Sequence, residues 1–465
     1  MRKLFLLTIN LLLTSLLSSS HADDVINMGD RLELFVDDFM INQLNGDAEQ
    51  VLHKPEPQEV VFTTDKPWEG NVCAYFSLFE DGDRFRMYYR CAHNVNGPGF
   101  PSTKGEALAE SIDGINWKRR LLRLMPYNNS LDNNFIQLAG KYYVNNFTPR
   151  KNTNPQATRD IKYIALSGIE MSALYLLTSP DGIRWKEPQN SLITTNGAFD
   201  SQNVIFWDSH AKLYRCYFRV FRPWPIGRAF ATCTSPDLQH WTTPRDIEYD
   251  GDAVVDLYTN AIQTYPRAPH LILGFPTRLL RSEKYQTQPE FMSSRDGVRF
   301  HHWTDPIIPT TAPKDRDGNR GNYMAYGYFE LPDKPGEYSF YAMESTFIGP
   351  AVRLRRFTYR IDGFVSISAG TSGGTIVTKL LTFNGKELVI NGTTKSQGNI
   401  SVEIRDDQGH PINGLAYADC ERFTGDSVEH VVRWQNNADL HSLAGKPIQL
   451  RFVLKEADLY SFRFR

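Results

Sequence analysis

Four carboxylates in this 465-residue chain stand in the same setting: Glu69, Asp132, Asp200 and Asp256 each come shortly before an asparagine (Asn71, Asn134, Asn203, Asn260) and an apolar run. If such groups converge, like charges raise one another's pKa, leaving one as a protonated acid beside an ionised base or nucleophile. Hydrolysis of a glycosidic bond asks for that division of labour. The same residues can also cap strand ends by bonding neighbouring amides, and that structural role stays open for each. Arginine is the second signal. Arg90, Arg219, Arg222 and Arg278 sit at or just beyond aromatic-rich runs. A guanidinium fork there can grip a carboxylate, a sulfate or a pair of hydroxyls, or simply neutralise crowded acids. Trp68 and Trp224 lie beside these positions and are suited to stack on a sugar face, whereas Trp207 reads as packing. Asp37 and Asp38 share one strand, so one of them must point outward; Glu344, closing a later run, is a reserve candidate.

Other chemistries lack their signatures. There is no Ser/His/Asp order, H-E-x-x-H, Walker or G-x-G-x-x-G phrase, and the 11 histidines are scattered. No cofactor is required and no catalytic metal is expected, while a structural calcium on an axial water cluster is compatible with the sequence. A formal charge of −2 gives no basic footprint for nucleic acid.

The elements that must position these residues are marked by a recurring phrase, S-x-D-G-x-x-W. It starts at Ser111, Ser179, Ser235 and Ser294, with a shortened fifth copy at Arg360-Ile-Asp362-Gly363-Phe364. Asp can bond its own backbone two residues on, Gly accepts φ > 0, and the aromatic drops back into a core. The phrase is therefore a turn with an anchor, and Asp113, Asp181, Asp237 and Asp296 read as structural. Each unit orders an opening, three strands and this turn into a fourth strand, the anatomy of a propeller blade. Blade openings are expected at Glu69, Asp132, Asp200, Asp256 and Arg320, with later strands such as Lys141-Tyr-Tyr-Val. An innermost strand borders the central funnel, which makes the openings the candidate site. From about Ser368 the phrase stops and strands joined by Gly-containing turns suggest a β-sandwich. The expected fold is all-β: residues 23–367 a five-bladed β-propeller, residues 368–465 a β-sandwich.

Residues 1–22 read as an export leader: Arg2-Lys3, an apolar run from Leu4 to Leu17, and small residues before Asp23. The run is shorter than a span requires and no other stretch is long enough, so no membrane span is expected in the mature protein, which would be periplasmic or secreted. Five cysteines are too sparse for a disulfide scaffold, though Cys73 with Cys91, and Cys216 with Cys233, fall on neighbouring strands. Asn128, Asn146, Asn391 and Asn399 open N-x-S/T sequons, relevant only in a eukaryotic secretory host.

The repeated turn, the Trp68-Glu69-Gly-Asn71 opening, the Phe199-Asp200-Ser-Gln-Asn203 and Asp256-Leu-Tyr-Thr-Asn260 phrases and the trailing β region resemble the five-bladed propeller glycosidases. That superfamily includes glycoside hydrolase families 32, 43, 68, 117 and 130, and the likeness is to exported bacterial family-32-like proteins in particular. The resemblance implies three acids on different blades acting as base or nucleophile, acid, and transition-state stabiliser; by position these are Glu69, Asp200 and Asp256. The invertase-like W-M-N-D-P-N-G and E-C phrases are absent, so fructoside specificity is not implied. The expected function is an exported glycosidase acting at chain ends of a plant or algal glycan. A non-catalytic glycan-binding propeller is one alternative. A polysaccharide lyase using Tyr258 with Arg278 is another.

Overall fold

The structure is a computed structural model and describes residues 25–93, 102–139, 146–250, 256–283, 285–311, 322–435 and 439–465. The leader at 1–22, the expected strand at 141–144 and the expected opening at Arg320 lie outside the described residues. Among the described residues there are strands and short 3-10 turns but no α-helix.

The repeated phrase folds as its chemistry dictates. Asp113 accepts from the backbone N–H groups of Ile115 and Asn116 at 2.9 and 2.7 Å, and the Trp117 indole donates to the Gly114 carbonyl at 3.0 Å. Partial burial alone would raise the Asp113 carboxyl, but the Asn116 side chain and these amides hold it well below the usual carboxylate range. Asp181, Asp237 and Asp296 accept from backbone amides in the same way, and the Trp185 indole repeats the bond to its glycine carbonyl. Three of the turns also dock on a neighbouring unit. The Tyr341 hydroxyl donates to the Gly114 carbonyl at 2.7 Å, Tyr88 to Gly182 at 2.9 Å, and Tyr217 to Gly297 at 2.8 Å.

Five mainly antiparallel sheets follow one another, the second and fourth each with one parallel outer strand. The first is Ala74–Glu80, Phe85–His93, Ser102–Ser111 and Lys118–Arg119; the third is Val204–Asp208, Leu213–Arg222, Gly227–Ser235 and Arg245–Asp246. In the second strand of each sheet, successive side chains point to opposite faces and both faces are covered. Tyr88 packs with Phe147 and Tyr163 of the second sheet, and Tyr89 with Met343 and Leu354 of the fifth. Further apolar clusters join the second sheet to the third, the third to the fourth, and the fourth to the fifth, so the five form a closed cycle. The fifth sheet is completed by Glu56–Thr63, a strand from before the first sheet that pairs with Arg353–Arg360. Innermost strands meet across the axis: Arg150 of the second sheet donates to Gln263 of the fourth at 2.6 Å, and its guanidinium lies 4.8 Å from the Tyr326 ring.

Two expected openings are not innermost strands. The inner strand of the second sheet is Phe147–Lys151, whereas Gln137–Ala139 runs parallel to the outer strand Arg184–Lys186. The segment bearing Asp132 is held there because Asn134 bonds the Leu108 carbonyl and the Tyr89 hydroxyl, both at 2.9 Å. In the fourth sheet the inner strand is Gln263–Tyr265; Leu257–Thr259 instead belongs to an accessory sheet with Thr277–Leu280 and Gln286–Pro289.

The C-terminal region is an eight-stranded sheet around one apolar core, dominated by the long strands Leu388–Arg405 and Gln449–Phe464. Its boundary differs from the expected one. Glu33–Leu34, Ile41–Gly46 and Glu49–Leu52, expected with the propeller, pair with C-terminal strands instead, because the apolar residues that flank them, Phe35, Met40 and Ala48, complete that core. The fifth copy of the phrase bolts the two regions together. Asp362 accepts from Tyr265 of the fourth sheet and from Asn391 and Ser461 of the C-terminal sheet. Asp37, left ambiguous by sequence, is paired with Arg295 at 2.8 Å in the same junction.

Candidate functional site

The residues that open the inner strands gather at one end of the cycle. They are Tyr75 at the start of Ala74–Glu80, Asn146 just before Phe147–Lys151, Asp200 before Val204–Asp208, Tyr258 in the accessory sheet, and Tyr323 before the fifth sheet. A chain of contacts joins them. The Arg90 guanidinium lies 4.8 Å from the Tyr75 ring and donates to the Asn146 side-chain oxygen at 3.3 Å. Asn146 in turn donates to Asp200 at 3.1 Å. Tyr258 and Tyr323 stack with ring centres 5.3 Å apart and planes inclined by 6°. The guanidiniums of Arg219 and Arg228 lie 5.0 and 5.2 Å from the Tyr258 ring.

The electrostatics follow from this crowding. Burial pushes the Tyr75 hydroxyl well up, reinforced by Tyr258 and Asp200 and opposed by Arg90, so it keeps its proton. Tyr75 also holds φ at 56°, a left-handed conformation rare for a bulky residue and a mark of an over-determined site. Glu106 faces Arg90 across the strand pair. Burial raises its carboxyl well above the ordinary value, only partly offset by Arg90, and neither oxygen has a hydrogen-bond partner among the described residues. It is therefore a neutral acid directly behind the arginine.

Asp256 sits one step outward. It accepts from the Arg228 backbone N–H at 2.9 Å and forms ion pairs with the Arg228 and Arg281 side chains. The Arg281 guanidinium lies 5.8 Å from the ring of Trp224, which is 74% exposed and stands at the rim. The Asp256 oxygens are taken up by these two arginines, which suits a residue that positions Arg228.

Of the residues singled out by sequence, Asp200, Arg90, Arg219 and Tyr258 are brought together and Asp256 adjoins them. Glu69 is not: fully buried, it accepts from Arg119 at 2.7 and 2.9 Å and from the Tyr89 hydroxyl at 2.6 Å, a closed structural ion pair. Trp68 donates its indole N–H to Asn134 at 2.8 Å beside that network. Asp132 is exposed and pairs with Arg123. Arg222 pairs with Asp246, Arg278 with Glu290, and Glu344 with Arg353 and Arg355. Sequence reasoning missed Tyr75, Glu106, Asn146, Arg228 and Tyr323. Asn146 stood out only as a sequon; it and Asn391 are buried, bonded side chains unsuited to carry a glycan. All five cysteines are buried free thiols, with Cys216 directly opposite Cys233. Among the described residues no group of three or more His, Cys, Asp or Glu is placed to hold a metal ion, and no helix is long and apolar enough to cross a membrane.

No family model matches the chain, and no curated protein matches it. Among solved structures it is similar to a glycoside hydrolase family 43 arabinoxylan arabinofuranohydrolase from Bacillus subtilis, at 10% identity and a TM-score of 0.44 over 86% of this chain and 97% of that one. It is similar to a β-1,2-mannobiose phosphorylase from Listeria innocua at 12% identity and a TM-score of 0.47, over 66% of this chain and 96% of that one. It is also similar to an endo-1,4-β-xylanase from Bacteroides thetaiotaomicron at 15% identity and a TM-score of 0.43, over 65% and 96% of the respective chains. Likenesses this slight carry no argument about activity; the chemistry rests on the residues of this chain.

Proposed function

We propose that the protein is an exported, glycan-processing enzyme of the glycoside hydrolase type, acting at chain ends, with the funnel at the inner-strand openings as its site and Asp200 as its working carboxylate. The observation that carries this reading is the setting of Asp200: part-exposed, oriented by Asn146, near Arg90 but in no ion pair among the described residues, and among stacked tyrosines suited to a sugar face. In hydrolysis Asp200 would take the proton of an attacking water. The leaving oxygen needs a donor that has kept its proton; burial raises Tyr75, Glu106 and Tyr323, and of these Tyr75 and Glu106 lie directly against Arg90. Asp256 would act as a positioning residue for Arg228.

One observation favours a second reading. Two guanidiniums lie over the ring of Tyr258, an arrangement that would hold and neutralise a uronate carboxylate beside a tyrosine base and so suit β-elimination. A reducing-end and mass-spectrometric screen of the secreted protein against plant and marine oligosaccharides separates the readings. Hydrolysis adds one water to the summed product mass, whereas elimination conserves mass and leaves an unsaturated, ultraviolet-absorbing end. Binding without turnover across the panel would leave a non-catalytic glycan-binding propeller. Export rests on the Arg2-Lys3 and Leu4–Leu17 pattern and is tested by N-terminal sequencing of the secreted chain.

A further inference from the structure

The funnel and its rim hold four guanidiniums, those of Arg90, Arg219, Arg228 and Arg281, against the two carboxylates of Asp200 and Asp256. Arg219 is the sharpest case. It is 3% exposed, its Nε donates to the Ala198 carbonyl at 3.0 Å, and it forms no ion pair among the described residues. The Arg228 guanidinium shares Asp256 with Arg281, and its buried Nε has no partner among the described residues. Burying a guanidinium without a full counter-charge is costly. Arg219 has no counter-charge among the described residues and Arg228 only a share of Asp256, and both converge on Tyr258. A site built only for neutral hydroxyls would be served by amides and hydroxyls, without that cost. A planar fork matches the paired oxygens of an anion.

We propose that the funnel recognises an anionic group on its glycan, a uronate carboxylate or a sulfate ester, through Arg219 and Arg228, with the sugar ring against Tyr258. This rests on the funnel being the glycan site. The guanidinium pair then supplies what distinguishes an acidic chain end from a neutral one, and the anion completes the charge that the protein leaves open.

Calorimetric titration of the full-length protein tests it with oligogalacturonides and their carboxyl-reduced counterparts, and with sulfated carrageenan oligosaccharides and their desulfated counterparts. The two arms separate carboxylate from sulfate as the source of charge. We expect one acidic ligand to bind at least about tenfold more tightly than its neutral counterpart, and to weaken as salt is raised. Arg219→Lys and Arg228→Gln should narrow that gap; Arg228 is the more exposed of the two, so its variant serves if the Arg219 change disturbs folding. Equal affinity for an acidic ligand and its neutral counterpart would overturn the anionic assignment and leave the glycan site standing. Binding of no member of the panel by the folded wild-type protein would overturn the glycan site, and the anionic assignment with it.

Discussion

Replacing Glu33 by Gln should weaken the junction between propeller and C-terminal sheet, and the loss should fade in acid. Glu33 lies on a short strand paired with Phe462 of the C-terminal sheet, yet its carboxylate reaches the fourth sheet, where Arg295 donates at 2.9 Å and His270 lies at 3.3 Å. Arg31 adds a third partner at 2.5 Å. Burial alone would raise the carboxyl, but the His270 hydrogen bond and the charges of Arg295, His270 and Arg31 reverse this and lower it from 4.5 to about 2. A depressed folded pKa means stability present above the unfolded value and lost as pH falls through the folded one. The shift corresponds to roughly 3 kcal/mol at neutral pH, vanishing between about pH 4.5 and 2. Urea unfolding followed by tryptophan fluorescence should therefore show wild type exceeding Glu33→Gln by about that amount at pH 7, with the gap closing towards pH 3. A gap that stays constant from pH 7 to pH 3, or no gap at pH 7, would refute the assignment of Glu33 as a charged latch.

The repeated turns and the misread carboxylate give further tests. Tyr88→Phe removes one of the two donors to the Gly182 carbonyl, leaving the Trp185 indole at 3.0 Å, and should cost about 1 kcal/mol in unfolding free energy; an unchanged midpoint would count against turn-to-blade docking. Gly182→Ala should cost about 2 kcal/mol, since the residue holds φ at 75° and a Cβ would lie 2.3 Å from Arg86 Nη1 and 2.6 Å from the Tyr88 hydroxyl; neutrality would mean the turn relaxes freely. Glu69→Gln removes the buried charge facing Arg119, which keeps only the half-exposed Asp65 as an ionic partner at 3.2 Å, and should lower stability by roughly 2–3 kcal/mol while turnover per folded molecule stays within about twofold. Loss of turnover in that variant, at a temperature where it is folded, would return Glu69 to the site. Tyr75→Phe and Glu106→Gln identify the proton donor: the variant that loses turnover but recovers it on a substrate with a good leaving group carries the role, and neither doing so would remove both.

What the sequence disclosed was what is local. The S-x-D-G turn is built from bonds within five residues, so Asp113, Asp181, Asp237 and Asp296 were legible as structural, and these four with the shortened copy at Asp362 mark the five sheets of the cycle. The site depended on which segment lies innermost, which local pattern does not report. The inner strand Phe147–Lys151 lacks an apolar alternation, while the more strand-like run after Asp132 is captured by Asn134 bonds to the first sheet. Glu69 opens its unit as expected, but Arg119, from the last strand of the same sheet, closes on it. Tyr75 and Tyr323 are hidden within apolar runs, and Arg228 follows a turn, so nothing in their neighbours marks them as converging. The N-terminal strands of the C-terminal sheet were illegible for a related reason: their partners lie more than 300 residues away.

The central claim is that Asp200, set among Arg90, Asn146 and the tyrosines, does the chemistry. The most direct measurement is steady-state turnover and calorimetric binding of Asp200→Asn on whichever oligosaccharide the wild-type protein cleaves. Turnover should fall by about 10²–10⁴-fold while the variant stays folded and binds within a few-fold of wild type. Full turnover in a folded Asp200→Asn variant would contradict the account.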